Sequence, residues 1–247
     1  MKLSVVIIAR NEEANIGRCL ESVKWADEII LIDNNSDDRT VEIARQYNAQ
    51  VYNHDWNGYG PAKQAGLERA SGKWILSIDA DEVVSSELAA EINRICVQND
   101  NANGYYIPRL TSFLGRWIRH SQWYPDYVLR LFKRTKGRFT DSLVHESVEI
   151  DGVVKYLKND LLHYSYPDLK TFFKKTARYS ELGALEAHRK GHKAGSLTAF
   201  FHSGAAFYRH FIFRAGFLDG WEGFLIALLS ANRVYKKYSI LRSLDNK

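Results

Sequence analysis

The first hundred residues alternate between short apolar runs and segments whose apolar residues recur at helical spacing. The apolar runs are Leu3 to Ala9, Glu28 to Asp33, Ala49 to Tyr52 and Trp74 to Ile78. Near-continuous apolar runs of this length are typical of strands buried in a parallel sheet. Ile16, Leu20 and Val23 follow the first run at helical spacing, and Val41, Ala44 and Tyr47 follow the second. Asn11 and Ser36 are predicted to cap these two helices.

Alternation of strand and helix predicts an α/β fold with a mostly parallel, Rossmann-like central sheet and flanking helices. In such sheets a ligand binds at the carboxyl ends of the strands. Arg10, Asp33 and Asp79 each stand at the end of a predicted strand. We therefore expect them to converge on one edge of the sheet and to mark a site.

The fourth apolar run ends in the acidic cluster Asp79-Ala-Asp81-Glu82. Burying paired carboxylates is costly unless something neutralises them. A divalent cation with oxygen ligands would do so, and it would also hold a diphosphate. Alternatively, Asp81 and Glu82 stand near the start of the next helix, where acidic side chains are favourable.

Composition and charge indicate a globular protein with an acidic N-terminal part and a basic C-terminal part. The chain has 247 residues, 45% hydrophobic and 26% charged, which fits one large core or a core with a small appended layer. Residues 1–100 carry a net charge of −7, whereas residues 101–247 carry +12. A basic surface suits partners that bear phosphate. Because no nucleic-acid motif accompanies it, we expect no nucleic acid among them. The two cysteines, Cys19 and Cys96, are expected to be free thiols in a reducing compartment.

Four segments together resemble family 2 glycosyltransferases of the GT-A fold. They are Val5-Val-Ile-Ile-Ala-Arg-Asn-Glu-Glu13, Ile32-Asp-Asn-Asn-Ser-Asp-Asp-Arg-Thr40, Lys63-Gln-Ala-Gly66 and Ser77-Ile-Asp-Ala-Asp-Glu82. Three later segments look like the bacterial branch that builds lipopolysaccharide inner core, including β-1,4-glucosyltransferases: Trp123-Tyr-Pro-Asp-Tyr-Val-Leu-Arg-Leu-Phe132, Leu143-Val-His-Glu-Ser147 and Gly216-Phe-Leu-Asp-Gly220.

This resemblance implies a nucleoside-diphosphate sugar as donor, commonly UDP-linked, and Mg²⁺ or Mn²⁺ as metal. Asp33 would bind the nucleobase, and Ala9, Arg10 and Glu12 would line the nucleotide pocket. Asp81 would ligate the metal, and Asp79 would contact the ribose or the water shell of the metal. Lys63 would reach a phosphate or a nucleobase carbonyl, although a solvated helix lysine fits its position equally well.

The resemblance also implies a catalytic base for the acceptor hydroxyl, with Asp126 as the candidate and Arg130 four residues later as a donor-binding residue. Pro125 stands where many relatives have a second acid, and Asp126 could equally be a turn-former. With Asp126 as the base, a single displacement follows and the anomeric configuration inverts.

His145, in the segment Leu143-Val-His-Glu-Ser147, is a second open assignment. It could be a third metal ligand, a contact to phosphate or acceptor, or a strand-end histidine tied to a backbone carbonyl. His163 and His188 have no comparable sequence context and are predicted to be structural.

Residues 1–165 are expected to form the GT-A domain, with a nucleotide-sugar half at 1–100 and an acceptor half at 101–165. Residues 166–247 are expected to form an aromatic-rich helical extension. Its longest uncharged stretch, 194–208, is 15 residues, shorter than the ~20 residues of a membrane span. Aromatic residues beside Arg209 and Arg214 are typical of helices that lie on anionic membranes, although they could also pack on the core. We expect a cytoplasmic enzyme held at the inner face of the membrane, and the C-terminal helices could support a homodimer.

The expected reaction is metal-dependent, inverting transfer of a hexose, with glucose expected, to a lipid-linked glycan such as lipopolysaccharide inner core. There are two alternatives. The acceptor could be another envelope or capsule glycan, or the protein could be a non-catalytic membrane-associated scaffold. A nucleotidyltransferase would need a glycine-rich phosphate loop after the first strand, and Ala9-Arg10-Asn11-Glu12 is not one.

Overall fold

The computed structural model describes residues 2–98, 101–140, 148–170, 172–173, 183–185, 187–191, 193–195 and 197–245. The strands are β1 Leu3–Ala9, β2 Glu28–Asp33, β3 Gln50–Asn53, β4 Trp74–Asp79, β5 Glu82–Val84, β6 Gly104–Phe113, β7 Arg116–Trp117, β8 Asp126–Lys133, β9 Gly137–Phe139, β10 Val148–Ile150, β11 Val154–Tyr156 and β12 Leu161–Tyr166. The longer helices are α1 Ile16–Val23, α2 Thr40–Gln46, α3 Tyr59–Arg69, α4 Ser86–Val97, α5 Thr198–Tyr208 and α6 Gly220–Asp245.

The main sheet has the strand order β3-β2-β1-β4-β8-β6-β12-β5. The first four of these strands run parallel, which confirms the arrangement predicted for the first hundred residues. Beyond β4 the pairings of β8 with β4, of β6 with β8 and of β12 with β5 are antiparallel. The fold is therefore the expected α/β sheet, with an antiparallel half added beside β4.

Helices cover both faces of the parallel strands. On one face α1 buries Ile16, Cys19, Leu20 and Val23, the spacing that the sequence predicted. On the other face α3 packs on β1, and Gly66 makes that approach possible. A Cβ atom at Gly66 would lie 2.3 Å from Cγ1 of Val6, so any larger residue would push the helix from the sheet.

The predicted N-caps are wrong. The cap residue of α1 is Asn15 and that of α2 is Arg39, several residues after Asn11 and Ser36. Asn11 has a positive φ of 55°, and its backbone N–H donates to Oγ of Ser36 at 2.9 Å. The two polar residues thus join the loops after β1 and β2 to each other and do not start helices.

Contacts divide the chain into two compact units. The first comprises residues 1–109 and 126–163, and the second comprises residues 110–125 and 164–247. The second unit has its own apolar cluster, which includes Phe113, Ile118 and Ile226. In it α5 continues into a short π-helical turn at Arg209–Phe213 and a 3₁₀ turn at Gly216–Asp219 before α6 begins. No helix in the described part of the chain is long and apolar enough to cross a membrane.

Candidate active site

Three strand ends of the first unit lie side by side. In the register of the parallel strands, Ala9 of β1 stands opposite Asp33 of β2, and Ile8 stands opposite Asp79 of β4. The carboxyl ends of β1, β2 and β4 therefore form one edge, as the sequence predicted. The exposed Arg10 directly follows Ala9 at this edge.

Asp33 is buried at the end of β2 and is held by its own turn. One carboxylate oxygen accepts the backbone N–H of Ser36 at 3.0 Å, and the other accepts its hydroxyl at 2.6 Å. A carboxylate has about four lone-pair positions, so Asp33 keeps the capacity to accept from a ligand.

The loop after β1 is fixed to the loop after β2 by several further hydrogen bonds. The backbone N–H of Glu12 donates to Oγ1 of Thr40 at 2.8 Å, and the side chain of Glu12 accepts from Asn15 at 2.6 Å. The side chain of Asn11 accepts the backbone N–H of Asp37 at 3.0 Å. These bonds pre-organise the rim formed by Ala9, Arg10 and Glu12.

Asp79 lies between two cations. Its Oδ1 is 3.0 Å from Nζ of Lys63, which is 2% exposed, and its Oδ2 accepts from Arg130 of β8. Burial by itself would raise the pKa of Asp79, but the charges of Arg130 and then Lys63 lower it well below its ordinary value. Asp79 is therefore ionised. The sequence allowed a solvated position for Lys63 equally well, but the structure buries Lys63 against this carboxylate.

Glu82 continues the contacts on the other side of Arg130. It is fully buried and accepts from Nη2 of Arg130 at 2.7 Å, from Nη1 of Arg109 at 3.2 Å and from the backbone N–H of Asp79 at 2.9 Å. Burial would lower the pKa of Arg130, but the carboxylates of Asp79 and Glu82 raise it above its ordinary value. Both guanidinium groups stay charged.

Asp126 starts β8 and ends this series of contacts. Its Oδ2 accepts from Nε of Arg109 at 3.0 Å and from Nη2 of Arg109 at 2.6 Å. Its side chain is 44% exposed, and no residue of the described ranges hydrogen-bonds to its Oδ1. Asp126 therefore presents one fixed oxygen and one accessible oxygen.

The ion pairs form a continuous series of alternating charges, which we call the charge chain. In order, its members are Lys63, Asp79, Arg130, Glu82, Arg109 and Asp126. Three cations balance three anions, so the buried members are each neutralised by a neighbour. The charge chain links the end of β4, which carries the acidic cluster, to β8, which carries Asp126.

Asp81 stands beside His163, a residue that the sequence predicted to be structural. Nε2 of His163 lies 3.4 Å from Oδ2 of Asp81, and both side chains are partly exposed, at 15% and 18%. His163 reaches this position because β12 pairs with β5, where it stands opposite Glu82. That pairing joins residues about eighty positions apart, so no local sequence motif predicts that His163 lies beside Asp81.

A carboxylate oxygen is a suitable donor for Mg²⁺ or Mn²⁺, and an imidazole nitrogen binds divalent transition metals. In the ranges that the structure describes, no group of three or more metal-ligating side chains occurs. Asp81 and His163 therefore form a partial donor set, to which a diphosphate would add oxygen ligands. His145, the predicted third ligand, lies outside the described residues. His188 is an exposed residue of the second unit.

The sequence profile described as glycosyl transferase family 2 matches residues 4–149. An uncharacterized glycosyltransferase of Rickettsia typhi is 31% identical over an alignment that covers all of this chain and 88% of that protein. The lipopolysaccharide core biosynthesis glycosyltransferase LpsC of Rhizobium meliloti is 28% identical and covers 97% of this chain and 94% of that protein.

Among solved structures, S. aureus TarS (residues 1–349) in complex with UDP-GlcNAc superposes with a TM-score of 0.51 and 14% identity. The match covers all of this chain and 92% of that one. At this identity the likeness concerns the fold, and it agrees with the GT-A architecture.

Proposed function

The chain belongs to glycosyl transferase family 2, and from that premise we propose that it transfers a hexose from a nucleoside-diphosphate sugar to a lipid-linked glycan. The observation that carries this proposal is the arrangement at one sheet edge. The rim around Asp33, the partial metal site at Asp81 and His163, and the charge chain all lie within the first unit.

For the donor, we propose that Asp33 accepts a hydrogen bond from the nucleobase while Ser36 holds its carboxylate in place. Ala9, Arg10 and Glu12 would line the pocket, with Arg10 exposed and able to meet a phosphate. A uracil base, and hence a UDP-linked sugar, is the donor that we expect.

Asp81 and His163 would hold Mg²⁺ or Mn²⁺, which when bound supplies a positive charge that stabilises the departing diphosphate. Each carboxylate oxygen of Asp79 forms an ion pair, Oδ1 with Lys63 and Oδ2 with Arg130. We propose that it acts at the water shell of the metal or at the ribose, and that its two cations keep it ionised there.

We propose that Asp126 is the base. The acceptor hydroxyl gives its proton to Oδ1 of Asp126 as its oxygen bonds to the anomeric carbon. The bond from that carbon to the phosphate oxygen breaks, and the nucleoside diphosphate leaves with the electron pair. Arg109 holds the other oxygen of Asp126 and so orients it. One displacement inverts the anomeric configuration.

Lipopolysaccharide inner core is the acceptor and glucose the sugar that we propose. Two observations support this acceptor: the similarity to LpsC over nearly the whole chain, and the net charge of +12 in residues 101–247, which suits a phosphorylated glycan. Because such an acceptor is lipid-linked, we propose that the enzyme works at the inner face of the cytoplasmic membrane.

The test is release of nucleoside diphosphate from a panel of UDP-sugars and other nucleotide sugars, with truncated lipopolysaccharide as acceptor, with and without Mn²⁺. Asp81→Asn and His163→Gln should each abolish most of the metal-stimulated release. Asp151→Asn is the matched control, since Asp151 forms a surface ion pair with Lys136.

Release in the wild type that depends on neither Mn²⁺ nor Mg²⁺ would contradict the metal assignment. Turnover with a capsule or other envelope glycan, and none with lipopolysaccharide, would replace the proposed acceptor. If no donor turned over and no nucleotide bound, a non-catalytic scaffold would be the better description.

A further inference from the structure

The connection between α5 and α6 in the second unit exposes large apolar side chains. Tyr208, Phe213, Phe217, Leu218 and Trp221 are 61%, 81%, 51%, 55% and 64% exposed. We call these five residues the aromatic face. They fall within fourteen consecutive positions, whereas exposed apolar side chains on a protein surface are normally scattered singly.

The aromatic face stands on a layer of partly buried rings. Phe207, Phe211 and Phe224 contact one another, with ring centroids 5.5–5.8 Å apart. The exposed rings touch this layer: Phe217 lies 6.3 Å from Phe211, and Trp221 lies 5.3 Å from Phe224. These aromatic contacts hold the rings of Phe217 and Trp221 in defined positions.

Polar contacts on the opposite side fix the turn within the same unit. The buried carboxylate of Asp219 accepts the backbone N–H of His120 at 2.9 Å and lies 2.9 Å from its Nδ1. The backbone N–H of Ser121 donates to the carbonyl of Arg214 at 2.9 Å. The polar groups of the turn therefore face the protein, while Phe213, Phe217 and Leu218 face outward.

Basic side chains predominate around the aromatic face. Arg209 and Arg214 are exposed, and Asp219 is the sole acidic residue between positions 197 and 221. Because Asp219 is 3% exposed and bound to His120, it does not offset these cations at the surface. The next acid, Glu222, lies 3.7 Å from Arg116.

We propose that the aromatic face docks on an anionic lipid bilayer, with its rings at the headgroup level and Arg209 and Arg214 against lipid phosphates. Tyrosine and tryptophan favour this interface because each has an apolar body and a polar tip. A two-fold dimer through the same face would bring these arginines towards their own copies without an exposed acid to pair with them. The inference rests on the proposed function, since a lipid-linked acceptor lies in that bilayer.

Vesicle sedimentation tests the proposal with the full chain. The wild type should bind vesicles of phosphatidylcholine mixed with phosphatidylglycerol, and bind less as salt is raised. Phe213→Ser should weaken binding roughly ten-fold or more, because one ring leaves the interface. Arg209→Gln with Arg214→Gln should weaken it roughly thirty-fold, from about 1 kcal/mol per charge.

Val97→Ser is the control, since Val97 is 69% exposed on α4 of the first unit and should not affect binding. Phe213→Leu keeps an apolar side chain and should retain most of the binding. Circular dichroism of each variant separates lost binding from lost folding.

The proposal is overturned if the folded wild type stays in the supernatant with anionic vesicles, or if Val97→Ser loses as much binding as Phe213→Ser. A wild-type dimer that Phe213→Ser converts to monomer, without vesicle binding, would assign the face to a second copy. Asp81→Asn should bind vesicles as the wild type does. Failure of catalysis is thereby distinguished from failure of docking.

Discussion

Replacing Glu82 with glutamine should destabilise the first unit, because this carboxylate is the counter-ion of the buried Arg130 and of the partly buried Arg109. Glu82 is 0% exposed and accepts hydrogen bonds from Arg130, Arg109 and the backbone of Asp79. A glutamine keeps the shape but removes the charge, and its amide nitrogen would face one of these donors. The charge chain would then hold three cations and two anions.

Removing one partner from a buried ion pair costs about 3–5 kcal/mol. The lower end applies here, since Arg130 keeps Asp79 and Arg109 keeps Asp126. A loss of about 3 kcal/mol is large beside a total stability of about 5–15 kcal/mol. With a urea slope of about 1–3 kcal/mol per molar, the unfolding midpoint should fall by roughly 1–3 M.

Urea unfolding followed by circular dichroism measures this change. Glu42→Gln is the control because Glu42 pairs with Arg39 at the surface, and it should leave the midpoint almost unchanged. The double variant Glu82→Gln with Arg109→Gln should recover part of the loss. It removes the excess cation and leaves Asp126 partly in solvent.

An unfolding midpoint of Glu82→Gln equal to that of the wild type, with an unchanged slope, would contradict this role of Glu82. So would a double variant that loses the full sum of the two single losses, since independent sites add. Either result would mean that the buried charges are solvated or compensated in another way.

Three further outcomes are expected. Asp126→Asn should lower kcat about 10²–10⁴-fold with the KM for the donor nearly unchanged, and steady-state kinetics would show this; an unchanged kcat would exclude Asp126 as the base. Ser36→Ala should raise the KM for the donor more than it lowers kcat, because Asp33 loses its 2.6 Å hydrogen bond; equal effects on both would count against this binding role. Burial, and then the nearby arginines, lower the pKa of His210, so the unfolded chain binds the proton first as pH falls through about 6.5. Stability should therefore decrease below that pH, and less so in His210→Asn; equal pH dependence of both proteins in thermal unfolding would contradict this.

Local sequence predicted the parallel half of the sheet well. The runs at Leu3 to Ala9, Glu28 to Asp33 and Trp74 to Ile78 became β1, β2 and β4, because continuous apolar segments in an α/β chain bury both faces. The N-caps failed because Asn11 and Ser36 hydrogen-bond across two loops, and that contact joins residues 25 positions apart.

The candidate site also contains residues that the sequence predicted and residues that it did not. The polar ends of β1, β2 and β4 were visible in the sequence, since each residue directly follows or ends an apolar run. The sequence does not indicate that Glu82 and Arg109 belong to one ion-pair network, and it predicts a structural role for His163. Each gains its partners through pairing of distant strands.

Patterns within short segments were enough to predict the class of fold, the edge of the sheet where a ligand would lie and the family. Three further features depend on contacts between distant segments: Lys63 is buried against Asp79, Arg109 fixes one oxygen of Asp126, and His163 stands beside Asp81. The buried Lys63 needs the carboxylate of Asp79 to neutralise it, and the folding of the sheet brings these two residues together.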